Sequence, residues 1–302
     1  MSLIKSISGI RGTIGGKVND NLTPLDVVKF ASAFGTWLQN NKNKKDLTLV
    51  IGRDARISGQ MVSSLVTATL QGLGINVVDL GLSTTPTVEV MVPELKADGG
   101  IILTASHNPK QWNALKLLND KGEFISGENG AEVLALAENE DFNYAEVDDL
   151  GKYETREDGF DIHIQKILEL PTVDVEAIKA KKFKVVLDAV NSTGGISIPP
   201  LLEKLGVEVV KLYCEPTGHF PHNPEPLKEH LGDICELVKK EGADMGIVVD
   251  PDVDRLALID EKGEMFGEEY TLVAVADYLL KNKKGAAISN LSSSRALKIG
   301  RA

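Results

Sequence analysis

Two short segments of the 302-residue chain carry residue types suited to chemistry. The first is Thr104-Ala105-Ser106-His107-Asn108-Pro109. It follows Gly99–Ala105, an apolar run that reads as a strand, so Ser106 falls at a strand's C-terminal end, where α/β sheets place ligands. Pro109 fixes φ and removes a donor, and Asn108 before it is pushed out of helical geometry. A rigid loop presenting the Ser106 hydroxyl follows. A Ser-His-Asp hydrolase is disfavoured, because no G-x-S-x-G surrounds Ser106 and adjacent residues rarely form a nucleophile–base bond. A phospho-acceptor serine fits better, with Lys110 and Lys116 as nearby cations. A plain polar βα loop with a serine turn is the bland reading.

The second segment is Asp250-Pro251-Asp252-Val253-Asp254-Arg255, directly after the strand Met245–Val249. Alternate carboxylates share one face of an extended chain. Packed together they repel unless a hard divalent cation with oxygen ligands joins them, and Mg²⁺ is the natural candidate. Arg255 adds a planar cation suited to phosphate. Twelve residues from Asp250 to Glu261 approach the EF-hand pattern, but Arg255 occupies the obligatory glycine position and strands flank the loop, which argues against calcium sensing. A solvated acidic turn is the remaining alternative.

Three other segments are weaker. In Ser8-Gly9-Ile10-Arg11-Gly12 two glycines permit close backbone approach and an inward Arg11. In Gly52-Arg53-Asp54-Ala55-Arg56 an Arg53–Asp54 ion pair is expected. Gly218-His219-Phe220-Pro221-His222-Asn223-Pro224 reads as an ordered loop at a domain interface, since no acidic or thiol partner stands at metal-ligand spacing.

These segments need a scaffold of alternating strands and helices. Asp46–Asp54 reads as a strand, Met61–Leu73 as a helix ended by Gly74, and Ile75–Leu80 as a strand. Lys182–Asp188, a Gly-rich turn at Ser192–Gly195, a helix at Pro200–Leu205 and a strand at Val207–Leu212 repeat the pattern. Leu73–Leu80 and Leu205–Leu212 match as leucine-glycine followed by a valine-rich strand, which predicts two copies of one α/β unit. A third copy is expected from Gly285, with a helix start at Ser292–Lys298. The expected class is therefore α/β: tandem related three-layer domains with mixed, mostly parallel sheets, the third incomplete. Acidic, aperiodic Asp141–Asp158 suits a linker, so the domains are placed at 1–150, 151–260 and 261–302.

The net charge of −11 disfavours nucleic-acid binding but allows an anionic small substrate at a locally basic site. No apolar run approaches the roughly 18 residues of a membrane span. Two cysteines without C-x-x-C, and no secretory leader, make a reducing cytoplasm the expected location.

In order, Ser8–Gly12, Gly52–Arg56, Thr104–Pro109, Asp250–Arg255 and Asn290–Leu297 resemble the α-D-phosphohexomutase family: phosphoglucomutase, phosphomannomutase and phosphoglucosamine mutase. The resemblance implies four domains, the first three related. It implies a phosphoserine domain, a metal domain and, from 261, the start of a sugar-binding domain, with the chain a C-terminally shortened member. Ser106 matches the phosphoserine. Ser106, Asp250, Asp252 and Asp254 match the Mg²⁺ site, Arg255 the phosphate-steadying arginine, and Arg11 and Lys116 the basic residues near the transferring oxygen; His107 is a further neighbour. The implied reaction interconverts hexose 6-phosphate and hexose 1-phosphate through a hexose 1,6-bisphosphate. Thr104 leans toward glucose or mannose over glucosamine. A sugar-phosphate phosphatase or phosphotransferase, or a non-catalytic binding fragment, is the alternative. Two departures stand out. Pro251 and Val253 replace glycines often found between the aspartates, and Ala114 replaces the glycine of N-G-x-K before Lys116, where a required positive φ would strain alanine.

Overall fold

A computed structural model describes residues 2–6, 9–42, 44–282 and 284–286. Strands β1 (Ile4–Ser6) and β2 (Gly9–Thr13) precede helix α1 (Pro24–Asn41). Thr23 and Asp26 close a capping box at its start, with Pro24 at the first helical position. Then come β3 (Thr48–Arg53), α2 (Gly59–Gly72), β4 (Asn76–Leu82), α3 (Thr85–Glu94), β5 (Gly99–Leu103), β6 (Trp112–Leu118), α4 (Gly127–Asn139), β7 (Tyr153–Thr155), α5 (Gly159–Leu168) and α6 (Val175–Lys181). The second series is β8 (Lys184–Asp188), α7 (Gly194–Lys204), β9 (Glu208–Leu212), α8 (Gly232–Glu241), β10 (Met245–Val249), β11 (Leu256–Ile259) and α9 (Glu268–Asn282).

Two sheets form, ordered β1-β2-β6-β5-β3-β4-β7 and β11-β10-β8-β9. Strands β5, β3, β4 and β7 run parallel, as do β10, β8 and β9; β6 and β11 are antiparallel to their neighbours. Alternate residues of β3 serve opposite faces. Leu49 and Ile51 pack toward α1 and α2, while Val50 packs against Val88 and Met91 of α3. In β8, Val186 joins the core under α8, and Val185 the one under α7. Each sheet therefore has helices on both faces, as a three-layer α/β unit requires.

The order β6-β5-β3-β4 of one sheet is repeated by β11-β10-β8-β9 of the other, and the repetition reaches individual bonds. Asp98 accepts from the Thr48 backbone N–H at 2.9 Å, and Asp244 from that of Lys184 at 2.8 Å. After β6, Asn119 Oδ1 accepts from the N–H groups of Lys121 and Glu123; after β11, Asp260 Oδ1 accepts from those of Lys262 and Glu264. The serine loop joins β5 to β6 and the carboxylate loop joins β10 to β11. They are the same loop in two copies of one unit.

Several expectations shift. The Asp141–Asp158 stretch contains regular structure: its Tyr153–Thr155 pairs with β4 as the parallel edge strand of the first sheet. Three exposed residues give no hydrophobic period, so the pattern was silent there. The first sheet thus draws on residues beyond 150. Helix α9 follows β11 as α4 follows β6. Helix α7 starts at Gly194, earlier than Pro200, and takes in part of the expected Gly-rich turn. Gly195 is required there, because a Cβ would lie 2.0 Å from the Cys214 carbonyl oxygen. The expected third-unit segments at residues 287–302, including Asn290–Leu297, lie outside the described residues.

Candidate functional site

The loop after β5 is held from below by one side chain. Arg56 is 1% exposed and spends all its donors inside the protein. Its Nε donates to Asp54 Oδ2 at 3.0 Å. One terminal nitrogen donates to the carbonyls of Pro109 (2.8 Å) and Trp112 (3.0 Å), the other to those of Ser106 (2.5 Å) and Asn108 (2.6 Å). Thr104 Oγ1 donates to Asp54 Oδ2 and accepts from the Ser106 N–H. The partner of Asp54 is therefore Arg56, not the expected Arg53, whose guanidinium turns out to the Gln60 side-chain oxygen at 3.1 Å. Two residues separate Arg56 from the strand end, which lets it curl back under the loop. Ser106 is fixed at φ 48°, a left-handed conformation that a non-glycine residue adopts only when its surroundings impose it.

The carboxylate loop meets this serine across the two units. Ser106 Oγ donates to Asp250 Oδ2 at 2.6 Å and lies 3.3 Å from Asp254 Oδ1 and 3.4 Å from His107 Nδ1. Asp250, Asp252 and Asp254 each offer an oxygen within 4.8 Å of the others. Burial, then the neighbouring charges of Asp252 and Asp254, push Asp250 well above the ordinary carboxylate range. Burial also works against the charge of Asp252, yet the Lys116 ammonium outweighs it and holds that carboxyl low. Lys116 Nζ sits 2.7 Å from Asp252 and 2.8 Å from Asp254; burial opposes its charge, but the two carboxylates raise its pKa on balance. Thr85 at the start of α3 donates to Asp252 Oδ2 at 2.6 Å, and its N–H donates to the Asp252 carbonyl.

One oxygen is left over. Asp252 Oδ1 is buried with no hydrogen-bond partner. A buried anionic oxygen without a donor is costly, and hard carboxylate oxygens around it suit a small divalent cation. The group fits a metal site.

Above the serine lies a cleft of about 220 Å³ lined by Arg11, Ser106, His107, Lys116, Phe124 and Asp254. Arg11 comes from β2, whose Gly9 stands at φ 117° where a Cβ would lie 2.2 Å from the Leu115 carbonyl oxygen. The Arg11 Nε is buried and unpartnered, a donor available to an anion in the cleft. Burial and then the Arg255 charge lower the His107 pKa. Lys110 is exposed. The concern over Ala114 does not arise: it lies in regular β6 opposite Arg11, and its φ is not positive. Val253 does occupy the left-handed region, at φ 64°, where a glycine would be relaxed.

Glu89 of α3 went unnoticed in the sequence. It is half-buried, and burial, against the pull of Lys116, lifts its carboxyl to about 7. Helical spacing alone gives no sign that it faces the cluster.

The Gly218–Pro224 tract lies at the interface between the units. A Cβ on Gly218 would sit 2.0 Å from the Ala55 carbonyl oxygen, and the Phe220 ring covers Arg56 at 5.2 Å. His222 Nε2 lies 3.0 Å from Asp188 Oδ2. Burial opposes the charge of His222, but the hydrogen bond and charge of Asp188 raise its pKa on balance. A raised folded-state value means that the imidazolium's stabilisation is fully present below its unfolded pKa of about 6.5 and fades as pH rises through the folded value. His222→Gln is therefore expected to lower Tm more at about pH 5.5 than at about pH 8.5. Thermal melts of both proteins across that range check this, and an equal Tm gap throughout would show that the pair is not ionic.

Domain architecture and site together define a phosphohexomutase-type chain. It belongs to the phosphoglucomutase/phosphomannomutase family: the family's α/β/α domain I model matches residues 4–144 and its domain II model residues 161–263. A Thermococcus kodakarensis protein named phosphoglucomutase/phosphomannomutase is 38% identical over 95% of this chain and 63% of its own length. A Methanopyrus kandleri relative, named probable phosphoglucosamine mutase, is 32% identical over 91% of this chain and 58% of its own. Among solved structures, a phosphoglucomutase/phosphomannomutase family protein from Burkholderia thailandensis superposes with TM-score 0.80 at 25% identity, covering 99% of this chain and 65% of the other. The chain thus spans less than two thirds of the length of these relatives. Among the described residues, no helix is long and apolar enough to cross a membrane.

Proposed function

We propose that this chain carries the phosphoryl-transfer half of a hexose phosphomutase, with Ser106 as the phosphate carrier. The supporting observation is the 2.6 Å bond from Ser106 Oγ to Asp250, which joins a rigid serine loop of one unit to a carboxylate cluster of the other. The proposed substrate is a phosphorylated hexose, interconverted between its 6- and 1-phosphates through a 1,6-bisphosphate; relatives named for glucose, mannose and glucosamine phosphates leave the sugar open. Asp250, Asp252, Asp254 and the Ser106 side chain would hold Mg²⁺, which when bound neutralises charge on the oxygens of the transferring group.

The chain's own residues supply the rest. Starting from phosphoserine, a sugar hydroxyl oxygen bonds to phosphorus as the bond to Ser106 Oγ breaks, and the hydroxyl proton is balanced by the one that ends on the freed Ser106 Oγ. Positioning and charge carry most of this reaction. Arg56 and Thr104 fix Ser106 before the substrate arrives. Arg11 and Lys116 bring positive charge to the cleft, and Lys116 Nζ, held protonated between two aspartates, can donate a proton to a departing oxygen. His107 and Arg255 flank the serine. Water must be kept out of the closed cleft, or transfer becomes hydrolysis.

Incubation with glucose 1,6-bisphosphate and Mg²⁺, followed by mass spectrometry, tests the proposal: Ser106 should gain one phosphoryl group. Release of inorganic phosphate alone would make the chain a phosphatase, and an unmodified Ser106 throughout would leave only a binding role.

The metal reading has its own expected result. Mg²⁺ at about a hundredfold excess over its Kd should stabilise the fold by about 2.7 kcal/mol, read as a rise in Tm. Chelation should reverse the rise, and Asp252→Asn should abolish it. A Tm indifferent to Mg²⁺ would remove the cation from the proposal.

A further inference from the structure

Glu225 belongs to none of the segments that carry the proposed chemistry, yet it sits where they meet. It lies on the connection between β9 and α8, between the buried Pro224 and Pro226. Its Oε1 accepts from an Arg255 guanidinium nitrogen at 3.1 Å and stands 4.0 Å from His107 Nε2. Arg255 follows the carboxylate loop of the second unit; His107 follows the serine of the first. One carboxylate from a third segment therefore reaches a basic side chain on each side of the site: it pairs with the Arg255 cation and stands near the His107 imidazole.

The same connection grips the serine loop from beneath. Phe220 covers the Arg56 guanidinium, and Gly218 packs against Ala55. The connection is tied back to its own unit by the Asn191 amide, which donates to the His219 carbonyl at 3.0 Å, and by His222 on Asp188. It runs as a strap from the floor of the loop to its rim, with Glu225 at the rim.

We infer that Glu225 is a positioning residue that aims the Arg255 guanidinium, and with it His107, at a phosphoryl group carried on Ser106. The inference rests on the phosphoryl-transfer reading for its ligand. The physical argument is the orientation of a charged side chain. Arg255 and His107 are near enough for the guanidinium to depress the imidazole's pKa. Placed between the guanidinium and the imidazole, the Glu225 carboxylate selects, through its charge-assisted bond to Arg255, one orientation of a long flexible side chain. Without it, Arg255 has the neighbouring Asp254 as an alternative partner. Glu225 need not touch the substrate to act in this way.

The experiment is a double-mutant cycle on Glu225 and Arg255, with two readouts on the full chain in Mg²⁺: the affinity for glucose 1,6-bisphosphate by calorimetry, and the rate of Ser106 labelling by mass spectrometry. Glu225→Ala and Arg255→Ala are each expected to weaken bisphosphate affinity about tenfold, and the double variant should be no weaker than Arg255→Ala alone. Glu225→Gln preserves packing and removes only the charge, so it should fall with Glu225→Ala, while Glu225→Asp should recover part of the loss. Labelling of the wild type together with additive or absent effects overturns the role of Glu225 and leaves the phosphoryl-transfer reading intact. Coupled losses of affinity without any labelling keep the role of Glu225 as a phosphate-grip residue and overturn the transfer reading. Neither binding nor labelling by the wild type overturns both.

Discussion

Ser106→Ala is expected to abolish phosphoryl uptake while both sheets stay folded. Loss of a covalent nucleophile costs on the order of 10⁵-fold or more in rate where measured in other enzymes, because no neighbour can take its place. Among the described residues, the hydrogen-bond partners of Ser106 Oγ are two carboxylates and His107. The fold should tolerate the change. Ser106 Oγ contributes bonds to Asp250 and Asp254, but the loop is held through the Ser106 carbonyl and N–H, which alanine retains. Ser106→Gly separates the two roles further. At φ 48° glycine relieves the roughly 1 kcal/mol that a side chain costs in the left-handed region, so it should be as inactive as alanine yet at least as stable. Labelling and melting of the three proteins give the comparison. Residual isomerisation in Ser106→Ala would sink the phosphoserine mechanism.

The parts of the site legible in the sequence were those whose meaning lies in adjacent residues. Ser106 before His107-Asn108-Pro109 and three alternating aspartates after a valine-rich strand are local patterns, and the structure brings them to 2.6 Å. The doubling of the α/β unit is legible too, and a second pair of segments marks it. Ala97-Asp98 with Gly100 before the serine loop, and Ala243-Asp244 with Gly246 before the carboxylate loop, mark the same hairpin twice. Reading those two stretches together would have placed Ser106 and the aspartates in equivalent loops.

What stayed hidden depends on distance along the chain. Glu225 looks like one more acid beside a His- and Pro-rich tract until Arg255 and His107 are seen next to it. Glu89 is an ordinary helix residue whose carboxyl is lifted chiefly by burial, and further by the carboxylates that α3 faces. Strand β7 is too short and too exposed to show a period, and exists because β4 offers it an edge. Pro200 reads as a helix start, whereas α7 carries it, with Pro199, in its interior. Arg56 was the costliest omission. A buried arginine has no pattern of its own, and the adjacent Arg53–Asp54 pair drew the assignment that belongs to residues 54 and 56.

That omission sets the second large expected result. Arg56→Lys should destabilise the chain by about 1–3 kcal/mol for each buried carbonyl it leaves without a donor. A single ammonium has three donors at one point, whereas the guanidinium reaches Asp54 and four loop carbonyls in one plane. Lysine would leave several of those carbonyls unpaired beneath the Phe220 ring. Ser106 would then lose the constraint that keeps it left-handed, and its labelling should fall at least about 100-fold, as for a misplaced reacting group. Two measurements separate the effects: denaturant unfolding for stability, and labelling rate at a temperature where the variant is still folded. The Asp54 partner supplies the control. In Arg56→Met alone the Asp54 charge is stranded at 0% exposure. In Arg56→Met with Asp54→Asn that stranded charge is gone, so stability should partly return, but the carbonyls of residues 106, 108, 109 and 112 still lack their donors and labelling should not recover. Recovery of both together would mean that Arg56 serves only to neutralise Asp54, and that the serine loop holds its shape without the guanidinium.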